Sequence, residues 1–167
     1  MRDLKIYVWI LPYLGVIICI IALFTPAAFF KNIIWNHEII IWIWGYFQDT
    51  FNSTVSTGFY TYPIQLAPSV IVSIIIILSI SYIGVGLIKR RNDLKKGSIN
   101  IFEYIILAIS IISFTIFWMV GMEKAEQAIY GISMWGRYVP SFGVIGLFIG
   151  AGLIIIGSLL TKYVKTT

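Results

Sequence analysis

Residues 67–91 read APSVIVSIIIILSISYIGVGLIKRR, a mostly apolar stretch that carries no charge until it ends in three consecutive basic residues. A helix that crosses the hydrocarbon core of a bilayer needs about 20 mostly apolar residues. The strands of a membrane barrel are only about 10 residues long and alternate in character. Length therefore favours a helix, and the stretch predicts a membrane span over residues 67–88.

Three further apolar stretches have the length of a span, at residues 6–29, 99–122 and 139–160. The chain has 167 residues, of which 59% are hydrophobic and 11% charged, and a chain this short cannot bury so much apolar surface within itself. This composition excludes a soluble enzyme and a disordered chain, and the single cysteine, Cys19, excludes a disulfide scaffold. The first stretch exceeds the apolar core of a secretory signal, about 7–15 residues, which favours a span over a cleaved leader. We expect one four-span membrane domain over residues 1–167.

The basic residues predict how the spans are oriented, because positively charged loops stay in the cytoplasm. Both termini and the loop between the second and third spans lie on one side, which predicts cytoplasmic termini and outer loops at about 30–66 and 123–138. The charges flank spans and form no separate basic domain, so we expect lipid and no nucleic acid as a partner, in the plasma membrane. Nine of the twelve Lys and Arg residues lie on the predicted inner side: Arg2, Lys5, Lys89, Arg90, Arg91, Lys95, Lys96, Lys162 and Lys165.

The first outer loop has the composition of β-strands. Residues 36–47 and 55–62 are rich in β-branched and aromatic side chains, which are typical of strands, and the polar residues 48–54 between them are typical of a connection. We predict an antiparallel hairpin with a third strand near residues 31–35. The predicted fold is thus a four-helix transmembrane bundle with both termini cytoplasmic and a small antiparallel β-sheet formed mainly by the first outer loop.

Aromatic residues are concentrated in this loop. An aromatic belt at the membrane interface is one explanation, and Trp118 and Trp135 near the outer ends of later spans fit it too. A contact surface is the other, because Trp and Tyr dominate binding hot spots. Asn52 begins an Asn-Ser-Thr sequon and is a candidate glycosylation site. Our candidates for loop structure or contact are Trp35, Trp42, Trp44, Gly45, Tyr46 and Phe47.

Gly146 and Gly150 form a small-xxx-small motif in the fourth span, which lets helix backbones approach closely within a bundle or between chains. The span cores carry no ionisable residue, so we expect no ion pathway through a single chain. His37 is the only histidine, and a histidine-based metal site needs several ligands. We therefore predict no catalytic, cofactor or metal residues and no enzymatic activity.

Trp35 with residues 42–47, residues 128–135 and the glycine-rich fourth span together resemble the claudin superfamily of tetraspan proteins. The block Trp42-Ile43-Trp44-Gly45 is similar to the Trp and Gly-Leu-Trp pattern of the claudin first loop. Claudins place two cysteines in that loop and the corresponding loop of this chain has none, so the resemblance is to a distant relative. It implies a nonenzymatic protein of cell adhesion or cell junctions.

The leading hypothesis is therefore a claudin-like protein that mediates lateral or cell–cell contacts through its outer loops. The expected partner is a second copy or another membrane protein, reached through the outer loops or the fourth span. Two alternatives stay open at this point. One is an accessory subunit of a larger membrane enzyme or transporter complex, and the other is a small oligomeric channel with the serines of the second span as its polar stripe.

Overall fold

A computed structural model describes residues 8–95 and 100–163 of the chain. Its helices are α1 (Leu11–Phe24), which follows a 3₁₀ turn at Val8–Ile10, α2 (Pro63–Lys89), α3 (Arg91–Lys95), α4 (Phe102–Tyr130) and α5 (Phe142–Tyr163). Its strands are β1 (Ala28–Asn32), β2 (His37–Ile41), β3 (Tyr46–Phe51), β4 (Thr54–Phe59) and β5 (Val139–Pro140). The predicted starts of the first and third spans lie outside the described residues, as do Arg2, Lys5, Lys96 and Lys165.

Within the described residues, α2, α4 and α5 are long and apolar enough to cross a membrane, while the first apolar helix, Val8–Phe24, is shorter. Many of their large apolar side chains point outward, among them Ile74, Leu78, Ile109 and Phe117. An exposed apolar surface of this extent requires a nonaqueous environment. The chain is therefore a membrane protein, and three of the four predicted spans have the full length.

Predicted boundaries of three spans differ from the helix ends. The fourth span is predicted over residues 139–160, but Val139 and Pro140 form β5 and α5 begins at Phe142. The first is predicted over residues 6–29, but α1 ends at Phe24 because Thr25 is extended and hydrogen-bonds back to Ala22, and the chain then enters β1. The third was placed over residues 99–122, but α4 continues to Tyr130 and ends at Gly131, whose φ of +67° is the left-handed conformation that closes many helices. The segment between α4 and α5 therefore comprises residues 131–141, and the predicted loop over residues 123–138 is wrong at both ends.

α1 packs against α5 along a seam of small residues. A Cβ atom added to Gly150 would lie 2.7 Å from the Gly15 carbonyl oxygen, and one added to Gly157 would lie 2.7 Å from Leu11 Cβ. At the other end of the seam, a Cβ on Gly143 would lie 2.7 Å from the Thr25 carbonyl oxygen. The two helices thus run side by side with their backbones in contact, as small residues in membrane helices allow.

All five strands form one antiparallel sheet in the order β4-β3-β2-β1-β5. Four strands come from the segment between α1 and α2, and β5 comes from the segment before α5. The prediction of a small antiparallel sheet formed mainly by the first outer loop is therefore confirmed. The third strand, predicted near residues 31–35, is displaced: β1 spans Ala28–Asn32, and residues 33–35 belong to the β1–β2 turn.

The predicted strand over residues 36–47 is two strands, because a tight turn interrupts it. Gly45 N–H donates to the Trp42 carbonyl at 3.0 Å, and Trp42 N–H donates to the Tyr46 carbonyl at 2.9 Å. Gly45 has φ +89°, as expected for a three-residue hairpin loop that ends in a left-handed residue. The prediction of a polar connection over residues 48–54 is wrong, because most of these residues lie in β3. The β3–β4 turn consists only of Asn52 and Ser53, with φ +47° and +68°.

Candidate functional site

The sheet has a proximal end, which rests on the helices, and a distal end, which does not. At the proximal end, Trp42 Nε1 donates to the Phe24 carbonyl at 3.3 Å, and Trp44 Nε1 donates to the Leu23 carbonyl at 3.2 Å. These carbonyls belong to the last turn of α1, where a helix leaves carbonyl oxygens without intrahelical donors. Two of the predicted loop residues therefore cap α1 from the sheet.

The other proximal candidates complete this attachment. Tyr46 stacks on Trp44 with ring centroids 5.2 Å apart, and Phe47 stacks on Tyr60 at 5.8 Å. Gly45 is buried, and a Cβ there would lie 3.2 Å from Ser69 Cβ on α2. The block from Trp42 to Phe47 thus joins the sheet to α1 and α2.

The distal end carries the β1–β2 turn, and three consecutive side chains of this turn are apolar. Ile33 is 84% exposed, Ile34 89% and Trp35 64%. Phe51 and Val55, beside the neighbouring β3–β4 turn, are also exposed. Of the six predicted loop residues, Trp35 is the one that the structure places on this free surface, while the other five lie at the proximal end. We call Ile33, Ile34 and Trp35 the distal tip.

Asn52 lies in the β3–β4 turn at the same end of the sheet. Its side chain is exposed, and its N–H donates to the Asn36 carbonyl at 3.2 Å, which ties the two distal turns together. A glycan on Asn52 would stand beside the distal tip. Glycosylation of Asn52 stays a prediction, at a position that the structure leaves accessible.

A cavity of about 260 Å³ lies between the inner face of the sheet and the ends of α2 and α4. Glu126 and Gln65 are buried in it, and Gln65 Nε2 donates to Glu126 Oε1 at 2.8 Å. The exposed rings of Tyr62 and Tyr130 meet edge to face at its rim, 6.4 Å apart. The remaining lining residues are Ile39, Ile41, Phe47, Asp49, Tyr60, Thr61, Arg137 and Tyr138.

Charged groups in the cavity wall differ in how they are paired. Asp49 Oδ1 lies 2.9 Å from His37 Nε2 on the neighbouring strand. The guanidinium of Arg137 is exposed and lies over the Phe30 ring, 4.8 Å from its centroid. Glu126 makes no ion pair within 4.0 Å in the part of the chain that the structure describes.

Tyr60 and Tyr138 supply hydroxyls to this cavity. The Tyr60 Oη atom is buried and has no hydrogen-bond partner among residues 8–95 and 100–163. Burial raises the pKa of Tyr60 well above its ordinary value, and burial also raises the pKa of Tyr138. Both side chains are therefore neutral phenols at physiological pH.

The predicted helix-packing residues lie in the α1–α5 seam. A Cβ added to Gly146 would lie 2.8 Å from Ala22 Cβ, and Gly150 faces Gly15 and Cys19. The placement of Trp118 in an interfacial belt is wrong, since this side chain is fully buried and its Nε1 donates to Ser69 Oγ at 3.0 Å.

The serines of the predicted polar stripe lie mainly inside the chain. Ser69, Ser73 and Ser79 are buried, and Ser69 Oγ donates to the Gln65 carbonyl at 2.9 Å. Of the four serines from Ser69 to Ser81, Ser81 alone is exposed. The stripe therefore faces the α2 neighbours within this fold.

The cavity is the feature that sequence reasoning missed. Its polar residues come from β3, α2, α4 and the segment before β5, so no local spacing connects them. Glu126 carried one usable signal, because a glutamate directly beyond a predicted span needs a partner if the helix continues past the span. The pairing of His37 with Asp49 is also not evident from the sequence. Asp49 lies two residues from Phe51, the residue directly opposite His37, and the sequence alone does not give this register.

Among residues 8–95 and 100–163, no three His, Cys, Asp or Glu residues form a group that could hold a metal ion. Neither a protein-family model nor a curated protein matches this chain. The function must therefore be inferred from the geometry of the sheet and of the cavity beneath it.

Proposed function

We propose that this chain is a nonenzymatic, claudin-like membrane protein that makes lateral or cell–cell contacts through its outer sheet. The distal tip is the observation that carries the proposal. Three consecutive apolar side chains are largely exposed there, at the end of the sheet farthest from the anchoring tryptophans. Consecutive exposed apolar residues are unfavourable in a fold unless they serve a contact.

The proposed arrangement in the membrane has four spans, with α1 as the fourth. Val8–Phe24 falls at the short end of the spanning range of about 17–25 residues. Close contacts from Gly143 to Gly157 place α1 antiparallel to α5 along most of its length, and this side-by-side course supports the assignment. A helix that accompanies a spanning helix over this distance reaches the same depth in the bilayer.

The proposed orientation puts the sheet outside the cell and both termini in the cytoplasm of a plasma-membrane protein. The end of the bundle opposite the sheet carries Lys89, Arg90, Arg91 and Lys162, and Arg90 Nη1 lies 3.8 Å from Glu103 Oε2 there. The sheet end carries fewer basic than acidic residues. This asymmetry is the one that the positive-inside rule describes.

The proposed partner is a second copy of the chain. β4 is the outer strand of the sheet, and its outer edge has no partner strand in the described chain. Its residues Thr54–Phe59 contain no Lys or Pro, the residues that commonly protect an edge from pairing. Two β4 edges related by a twofold axis can pair antiparallel with each other and join the sheets of two copies, while the distal tip of each copy stays available for a further apolar contact.

The test is self-association of the purified protein after reconstitution into vesicles. Energy transfer between labelled copies in one vesicle reports lateral contact, and aggregation of vesicles reports contact between apposed membranes. Replacing Ile33, Ile34 and Trp35 together by Ser should reduce the signal that the wild type gives at least tenfold, because buried apolar anchors dominate contacts of this kind. Val139→Ser is the matched control, since Val139 is 65% exposed on β5 at the other edge of the sheet.

Each outcome bears on the proposal. Loss of signal in the triple variant, with the control unchanged, supports the distal tip as the contact. A wild type that stays monomeric in both assays contradicts the proposal. That result would favour the hypothesis of an accessory subunit. A triple variant that associates like the wild type also contradicts it, because the contact would then lie elsewhere.

A further inference from the structure

The cavity beneath the sheet contains a carboxylate whose burial is only partly compensated. Glu126 is 4% exposed, and the described hydrogen bond to its side chain comes from the neutral amide of Gln65. A buried carboxylate is costly unless opposite charge or several hydrogen bonds surround it. Burial raises the pKa of Glu126, and the charge of Arg137 offsets this only in part, because the exposed guanidinium of Arg137 lies over Phe30 and forms no ion pair with Glu126 within 4.0 Å. The Glu126 site therefore favours an additional positive charge.

The buried hydroxyl of Tyr60 provides a second, independent feature. Its Oη atom lacks a hydrogen-bond partner within the described ranges although it is shielded from solvent. A phenol oxygen accepts as well as donates hydrogen bonds. Tyr60 belongs to the same lining as Glu126, so one ligand group with several N–H donors can satisfy both.

The aromatic side chains of the lining also favour a positively charged ligand. The cavity is bordered by four tyrosine rings and Phe47, and the Phe47 and Tyr60 rings are stacked. Aromatic faces attract cations through the ring quadrupole. Two carboxylates, Asp49 and Glu126, face one guanidinium in the lining, so an anion is disfavoured. We propose that this cavity binds a small organic cation with a primary ammonium group, which Glu126 and Tyr60 hold and the tyrosine rings surround.

The size and the donor set exclude other ligand classes. Pockets for drug-sized ligands measure about 300–1,000 Å³, and this one, at about 260 Å³, fits a smaller molecule. A calcium ion would need six to eight oxygen ligands, whereas the described residues hold no cluster of three acidic or other metal-ligating side chains. A primary ammonium needs about three acceptors, which this lining can supply.

The ammonium group can come from two sources with the same chemistry. One is a free amine that enters past Tyr62 and Tyr130, and the other is the ethanolamine headgroup of a lipid. The cavity lies where the ends of α2 and α4 meet the sheet, so it is within reach of both. This inference does not depend on the distal tip, which belongs to the other end of the sheet.

The test is calorimetric binding of 2-phenylethylamine to the full chain in a detergent that carries no amine. The uncharged analogue 2-phenylethanol has nearly the same shape and should bind at least tenfold more weakly. Glu126→Gln removes the charge with little change in volume and should weaken amine binding about tenfold or more, since hydrogen bonds to charged groups are the strong ones. Tyr60→Phe should weaken it about threefold, as expected for one hydrogen bond.

Two variants control for nonspecific effects. Glu38→Gln makes the same change of charge on a strand residue outside the cavity, and Tyr46→Phe removes a hydroxyl that does not line it. Both should bind the amine like the wild type. Tyr60→Phe also keeps the test valid if Glu126→Gln fails to fold, because removing a buried hydroxyl without a partner leaves no group unsatisfied.

A second arm identifies the source of the ammonium group. The chain is placed in phosphatidylcholine nanodiscs with or without phosphatidylethanolamine, and amine binding is measured again. Competition by phosphatidylethanolamine supports the site with the lipid headgroup as its ligand, and unchanged binding supports it with a free amine. Equal binding of amine and alcohol, wild-type affinity in a folded Glu126→Gln variant, or no amine binding in detergent and in either nanodisc overturns the proposal.

Discussion

The α1–α5 seam and the distal tip differ in the size and the burial of their side chains. In the seam, glycines at positions 143, 146, 150 and 157 bring the chain so close that an added Cβ would meet atoms of α1, or of the two residues that follow it, within about 3 Å. At the distal tip, large apolar side chains extend from a turn and leave most of their surface uncovered. The seam has glycines without side chains, which allows α1 and α5 to pack closely. The distal tip has large side chains that make little contact with the rest of the chain.

This difference suggests that the seam stabilises the fold and that the distal tip serves contact with another molecule. Substitutions in the seam must change the free energy of unfolding, because the helices have no room to adjust. Substitutions at the tip should leave that energy nearly unchanged and alter self-association instead. The predictions below test the two halves of this contrast.

The largest effect should come from Gly150→Val. The new Cβ would lie 2.7 Å from the Gly15 carbonyl oxygen, so α1 and α5 must separate, at a cost of about 3 kcal/mol for a severe steric clash. Thermal unfolding in detergent should show a large drop in Tm. Gly152→Val is the matched control, because nothing lies within 4 Å of a Cβ at that position of the same helix. Equal Tm values for the two variants would show that the seam is not closely packed.

A smaller effect is expected where the proximal end of the sheet meets α1. Trp44→Phe keeps an aromatic ring but removes the Nε1 donor that bonds to the Leu23 carbonyl, and should lower the free energy of unfolding by about 1 kcal/mol. The same replacement at the tip, Trp35→Phe, should change it by less than about 0.5 kcal/mol. Chemical denaturation in mixed micelles measures both, and a larger loss at Trp35 would contradict the proposed division of roles between the two ends.

Apolar length and strand composition were enough to predict the coarse fold. Residues 67–88 and 139–160 needed only their run of uncharged residues to indicate helices, and α2 and α5 cover most of both. Hydrophobicity alone misplaces the end of α1, because Ala27, Ala28 and Phe29 continue the apolar run although Ala28 and Phe29 pair with β2 and β5. Thr25-Pro26 is the usable stop signal, since the residue before a proline avoids the helical conformation. Where apolar helix and apolar strand adjoin, hydrophobicity does not mark the boundary.

The site was predictable in its parts and not in its arrangement. The loop from Trp42 to Phe47 was identified by its aromatic content, but only the turn at Gly45 shows that Trp42 and Trp44 point at α1. The cavity depends on contacts between Gln65 and Glu126, 61 residues apart. Tertiary pairing of this kind has no periodic signature in a single sequence.

The smallest expected effect concerns the β3–β4 turn, and it stabilises the chain. Ser53 has φ +68°, a left-handed conformation that costs roughly 1–2 kcal/mol for a residue with a Cβ, and Asn-Gly is the preferred pair for such a turn. Ser53→Gly should therefore raise the free energy of unfolding by about 0.5–1 kcal/mol, after the greater freedom of glycine in the unfolded chain is deducted. Ser56→Gly, inside β4, should have the opposite sign, because glycine weakens a strand. Thermal unfolding of the two variants side by side checks the sign as well as the size, and a loss of stability in Ser53→Gly would mean that the turn is not left-handed. Ser53→Gly retains the Asn-x-Thr sequon and the distal tip, so self-association should stay at the wild-type level while the Tm rises.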